Sequence, residues 1–218
     1  MALDRELVVR TALAQLDELG LNGLTLRRIA SALDVQAPAL YWHFKSKQEL
    51  LDEMATTMLR DLIAEGGLPD TDLPWPDYLA QTGRVLRRML LAHRDGAKVF
   101  SGTYLTDDAL LAAQEEPLRV LTAAGCSLPA AVAALHTIYS YTIGFTIEQQ
   151  AVFATTGERD ERYEPSRRAR RIDADAHPHA HTAGEELFTQ PDERFERGLS
   201  LIVLGVAEQL RRTRGTEP

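Results

Sequence analysis

The sequence predicts an all-α chain: a three-helix N-terminal domain built around a helix-turn-helix, then a larger helical domain that carries a dimer seam. Three observations predict it. Residues 25–47 read as two short helices joined by a tight turn. Apolar residues in most of the remaining segments recur at spacings of three and four, the period of one helix face. Two late segments, 128–153 and 192–212, are long and rich in apolar residues, more so than one small chain can cover by itself.

The elements are taken in chain order. Residues 4–19 form a helix whose stripe is Val8, Ala12, Leu13, Leu16 and Leu19, and Gly20 and Gly23 punctuate the link to the helix-turn-helix. Thr25 is a good cap for a second helix carrying Leu26, Ile29, Ala30 and Leu33 on one face. Asp34 and Val35 interrupt it. A third begins near Gln36, has Pro38 in its first turn, buries Leu40 and ends near Phe44. In a helix-turn-helix the second helix can enter the DNA major groove. Arg27, Arg28, Lys45 and Lys47 against the single acid Asp34 leave this segment at +3. Gln36, Tyr41 and His43 can hydrogen-bond to bases or phosphates. The plainer reading is a helical hairpin with a solvated basic edge.

Ser46 with Glu49 three residues on predicts a capping box for a long helix that leaves the first domain. The expected domains are residues 1–48 and 49–218. A Gly/Pro-rich loop from Gly66 to Pro76 precedes an amphipathic helix over 76–92, a short piece at HRDGAKVF, and one helix over 107–123. Pro129 opens the apolar helix 128–153, and Phe195, Leu199, Ile202, Val203, Val206 and Leu210 mark the last helix. These two are the expected homodimer seam, a four-helix arrangement. The span 155–190 is polar and charged; it reads as a mobile loop with at most one short helix near 165–174.

Composition excludes several classes. No apolar run is read as long enough to span a bilayer, and MALDRELVV lacks a signal peptide's basic start. Cys126 is the single cysteine, so no intrachain disulfide forms. These favour the cytoplasm and no membrane partner. The net charge of −8 argues against a sequence-blind nucleic-acid coat. His177, His179 and His181 lack a fixed scaffold for a metal, and SRRARR is weak as a nucleic-acid signal. His93, Arg94 and Asp95 are consecutive, with no nucleophile beside them, so no catalytic set and no cofactor are expected. His136 is either a core histidine or a pocket residue.

The run LTLRRIASALDVQAPALYWHFKSKQELL resembles the DNA-binding domain of the tetracycline-repressor (TetR) family of bacterial transcription regulators. LLAHRDGAKVFSGT and TIGFTIEQQ are similar to the regulatory domain of that repressor's own subclass. The resemblance implies DNA contacts from Arg27, Gln36, Ala37, Pro38, Ala39, Tyr41, Trp42, His43 and Lys47, with Arg27 at a guanine-reading position. It implies a ligand pocket at Ile63, Thr82, Leu86, Phe100, Thr103, Tyr104, Gln114, Val132, Leu135, His136 and Tyr139. There the chain departs from the tetracycline repressor. Phe100 stands where that protein has a metal-coordinating histidine, Ile63 where it has a drug-binding one, and Glu148 alone remains of the metal apparatus. No metal ligand is therefore assigned. The implied function is a repressor released from a palindromic double-stranded DNA operator by a small aromatic or apolar inducer, with control of antibiotic efflux or biosynthesis genes as the family analogy. The rivals are an activator or other DNA-binding regulator with the same motif, and a small helical enzyme.

Overall fold

The computed structural model describes residues 3–153 and 157–215. Those residues are mainly helical, in twelve α-helices and one 3-10 turn, with no named strand among them. Asp4 caps α1 (Arg5–Gly23), accepting from the Leu7 amide at 2.8 Å. Thr25 caps α2 (Leu26–Ala32) by accepting from the Arg28 amide. The turn after α2 is a Schellman closure. Asp34 takes the left-handed conformation, φ 54, its amide donates to Ser31 O, and the Val35 amide donates to Ala30 O. Then come α3 (Ala37–Leu40) and α4 (Lys47–Ala64). Ser46 accepts from the Glu49 amide at 3.1 Å, while the Glu49 carboxylate reaches back to the Lys45 amide at 2.7 Å, one residue earlier than a capping box requires.

The second part begins with α5 (Trp75–Leu91) and α6 (Gly96–Phe100). The single helix expected over 107–123 is two, α7 (Asp108–Ala112) and α8 (Glu115–Ala123). Pro117 is the reason. It has no amide to donate to Ala113 O, and its ring crowds that carbonyl. α9 (Leu128–Val152) is the central helix of this part, packed on α5, α6, α8 and α12 (Pro191–Gly215). By length and composition α9 could cross a bilayer, which corrects the expectation that no segment approached that length. One side of it, however, is packed on protein. Ala131, Ala134, Ile138 and Ile143 are buried in the protomer, and Thr142 and Thr146 lie on the packed side.

The span 155–190 is also corrected. Within its described residues it carries a 3-10 turn (Glu161–Tyr163), α10 (Pro165–Ala169) and α11 (Pro178–Phe188); residues 155 and 156 lie outside the described residues. Two prolines start the helices, where a missing amide is harmless. Tyr163 packs on Phe188 with ring centroids 5.5 Å apart. The Arg168 guanidinium donates to the Ala180 carbonyl and fills the space left by Gly184. A short span with few apolar residues thus gains order from one aromatic pair and one arginine.

Two apolar cores result. One runs from Val8, Leu16, Ile29, Leu40 and Phe44 through Leu50 and Met54 into Leu90, Val99 and Phe100. It crosses from the first three helices into α5 and α6 without a gap. The other joins Leu79, Leu121, Ile138, Phe195 and Leu199. Here α5 and α12 touch closely: a Cβ on Gly83 would lie 2.7 Å from Leu199 Cδ2. Leu199, expected at the dimer seam, is therefore inside the protomer, 1% exposed. Leu201 and Leu204 point outwards instead, 72% and 62% exposed.

Candidate nucleic-acid interface and ligand cavity

The helix-turn-helix presents a defined outer surface. Arg27 and Arg28 are exposed on α2 with no ion pair among the described residues. Gln36 precedes α3 with its side chain free of any capping bond. Pro38 is exposed, and Ala37 and Ala39 are half-buried between neighbours. Tyr41 is 55% and Trp42 90% exposed. Burying so much indole only in a complex is what a docking surface does; in a free chain it stands in water. His43 is half-buried, and its carbonyl accepts from the Arg5 guanidinium. Lys47 is exposed, and its ammonium donates to Leu24 O at 2.9 Å and, more weakly, to Leu21 O at 3.5 Å. It thus holds the end of α1 as well as facing solvent.

Beneath this head lies a cavity of about 550 Å3 between α4, α5, α8 and α9. Ten of the eleven residues implied by the resemblance line it: Ile63, Thr82, Leu86, Phe100, Thr103, Gln114, Val132, Leu135, His136 and Tyr139. Tyr104 does not, and is corrected. It is 71% exposed, with its amide donating to Asp52 Oδ1. After a turn at Ser101 and Gly102, residues 103–107 belong to neither helix nor strand. Thr103 and Leu105 face the cavity and Tyr104 faces out. Glu148 is exposed on α9 and does not line the cavity. Among the described residues no group of three His, Cys, Asp or Glu gathers to hold a metal, His177, His179 and His181 included.

The wall is mainly apolar, with an aromatic side. Tyr139 stacks on His136 at 6.1 Å and meets Phe100 at 6.4 Å, tilted by 52°. Thr82 and Thr103 donate their hydroxyls to Tyr78 O and Phe100 O, each at 2.9 Å, leaving only lone pairs for a ligand. Burial pushes the Tyr139 phenol above its ordinary value, so it stays protonated. Sequence reasoning missed Tyr78 and Glu116. Tyr78 looks like one more residue of the apolar stripe of α5, yet it too lines the cavity.

Two seams join cavity and head. In the first, Thr106 Oγ1 donates to Glu53, Arg60 binds Asp107 at 3.0 Å, and Glu53 binds Arg5 at 3.1 Å. Arg5 also pairs with Glu49 and lies over the Phe44 ring at 4.3 Å. The Lys45 amide, followed by Arg5, holds the Glu49 carboxyl below its usual value. In the second, the turn between α5 and α6 grips the end of α1. His93 Nδ1 meets Asp17 at 3.0 Å, Arg94 donates to Asp17 and to Glu18 O, and the Leu21 amide donates to Asp95 at 3.0 Å. The approach needs Gly20, whose φ is 69 and whose Cβ would stand 2.9 Å from Asp95 Oδ2. His93, Arg94 and Asp95 are therefore a joint between the two parts.

The known proteins agree with this architecture. Residues 8–54 match the family described as bacterial regulatory proteins, tetR family, and residues 68–210 match the tetracyclin repressor-like C-terminal domain. The class C tetracycline repressor protein of Escherichia coli is 40% identical over 213 residues, covering 97% of this chain and 93% of that one. A possible TetR family transcriptional regulator from Streptomyces coelicolor A3(2) superposes with TM-score 0.82 at 38% identity, covering 94% of this chain and 99% of that one. A TetR variant from Acinetobacter baumannii AYE in complex with minocycline gives TM-score 0.71 at 33% identity, covering 95% and 98%. The chain belongs to the tetR family of bacterial regulatory proteins and is a ligand-responsive, DNA-binding transcriptional repressor.

Proposed function

We propose that two copies of this chain bind a pseudo-palindromic operator through the surface around Arg27, Gln36, Tyr41 and Trp42, and that a small molecule in the cavity of residues 49–218 releases them. The observation that carries the reading is the shared framework. The segment from Phe100 to Asp107 lines the cavity at one end and is bonded to α4 and, through Glu53, to Arg5 at the other. A ligand that displaces this segment alters the support under the recognition turn. For release, the ligand must bind the DNA-incompetent arrangement more tightly; tight binding to both arrangements shifts nothing. α4 is the lever, because its first turns hold the head and its last turns, at Leu59, Leu62 and Ile63, form cavity wall.

A second copy is supported by the exposed apolar side chains of α9 and α12, Leu128, Val132, Leu201 and Leu204, since isolated monomers rarely leave such long apolar faces in water. Two heads then match two half-sites about one or more helical turns apart. Efflux or biosynthesis genes are the targets the family suggests. A gel-shift assay on DNA flanking the protein's own gene, repeated with fused-ring aromatic compounds, tests the reading. Specific retardation relieved by one such compound supports it; retardation of all DNA alike, or none at low salt, rejects it.

A further inference from the structure

The cavity contains one polar group whose circumstances specify what should meet it. Tyr78 is 2% exposed, lines the cavity, and its hydroxyl has no hydrogen-bond partner among the described residues. Its oxygen is not among the fully enclosed polar atoms that lack a partner, Gln15 Oε1, Thr142 Oγ1 and Arg159 Nε, so it keeps accessible surface, and its residue lines the void. A buried phenol normally finds an acceptor. Burial pushes its ionisation up, with the Glu116 carboxylate adding to the effect. It is therefore a protonated donor.

The rest of the wall restricts the acceptor. Among the described residues no Lys or Arg lines the cavity. The one carboxylate among the described lining residues, Glu116, is already held by Arg119 at 3.0 Å. An anionic ligand would lose its water without gaining a cation, and would sit beside that carboxylate; a cationic one would find no free counter-charge. Metal bridging fits no better. Phe100 offers no lone pair, Glu148 lies outside the wall, and magnesium needs several well-placed oxygen ligands. Phe100, Tyr139 and His136 supply flat apolar surface.

Resting on the reading of the cavity as the inducer site, we infer that the inducer is an uncharged, carbonyl-bearing aromatic molecule, bound without a metal ion, whose carbonyl oxygen accepts from the Tyr78 hydroxyl. Tyr78 thereby sets specificity in a way that the apolar wall cannot. An apolar wall discriminates poorly between ring systems of one size, whereas a buried donor left unmet penalises every ligand that lacks the acceptor.

The test uses the full-length protein and three probes of one shape: 9-fluorenone, fluorene, which has a methylene in place of the carbonyl, and 9-fluorenone-2-carboxylate. Equilibrium dialysis is run in EDTA and again in magnesium. Fluorenone should bind the wild-type chain roughly three- to tenfold more tightly than fluorene, equally in both buffers, and the carboxylate should bind more weakly than fluorenone. Tyr78→Phe, which removes one oxygen and keeps the packing, should erase the preference for fluorenone over fluorene, because fluorenone loses its donor and fluorene no longer leaves one unmet. A preference that survives Tyr78→Phe overturns the assignment. So does binding that needs magnesium, tighter binding of the carboxylate, or no binding of fluorenone at all. A gel shift on the same preparations reads the repressor function separately, so failure of operator binding and failure of this ligand chemistry are distinguishable.

Discussion

The head and the cavity are built from opposite materials. The head is closed by local rules: Asp4, Thr25 and Ser46 each cap a helix, Asp34 closes a turn, and Leu16, Ile29, Leu40 and Phe44 are wholly buried. Its functional groups stand outside a finished core. The cavity is the reverse. Its wall comes from six helices, α4 to α9, and its functional surface is core left unfilled. The difference teaches where substitutions act. A change on the head's outer face alters binding and spares the fold, whereas the same truncation inside the cavity alters binding and stability together.

The largest expected effect would break this contrast directly. Leu40→Ala should destabilise the protein by about 2–5 kcal/mol, because a finished core cannot close over the gap. Leu86→Ala should cost clearly less, since that side chain already borders a void. Urea denaturation of both variants decides it; equal losses would mean that the cavity is ordinary core. Next comes Arg27→Ala, expected to weaken the specific operator by about 1–3 kcal/mol with fluorenone binding unchanged. If dialysis showed the ligand weakened as well, the separation between outer face and cavity would fail.

Arg5→Ala sharpens the comparison, because Arg5 belongs to the head and is joined towards the cavity wall through Glu53 and Thr106. We expect a loss of operator affinity of several-fold and a blunted response to inducer, with ligand affinity retained. Full induction in this variant would remove the route through Glu53. The smallest effect is on acidity. The Glu49 carboxyl ionises below its ordinary value of 4.5 in the folded chain. Its contribution is thus complete above that value and is lost as pH falls through the lowered one. Operator binding should therefore decline below about pH 4.5 before ligand binding does, and Glu49→Gln should flatten that decline.

Legibility from the sequence divides along the same line. The helices around 25–47 are legible because their signals are short-range: Thr25 with Arg28, Asp34 at the bend, Pro38 in a first turn, Ser46 with Glu49. The long seams are not. Nothing near Gly20 says that it must lie against Asp95, seventy-odd positions on, and Arg5 gives no sign that it will hold the His43 carbonyl. In the cavity, the positions implied by family resemblance do gather, but Tyr78 stays hidden because a tyrosine on an amphipathic helix looks like packing. Tyr104 is misplaced because alternation along an irregular segment cannot be phased without knowing where the segment enters. Leu199 is misplaced because an apolar stripe does not say which neighbour, inside the protomer or beyond it, will cover it.

The core that runs unbroken from Val8 to Phe100 also bears on how long the repressor survives in a cell. With no break between head and cavity floor, the two should melt as one cooperative unit. A ligand present at a hundredfold excess over its dissociation constant then adds about 2.7 kcal/mol to the stability of the whole chain. Where proteases act on the opened state, their yield follows that population. Inducer should therefore lengthen the lifetime of the very protein it removes from DNA. A reserve of intact repressor would accumulate during exposure and re-bind as soon as the compound is cleared.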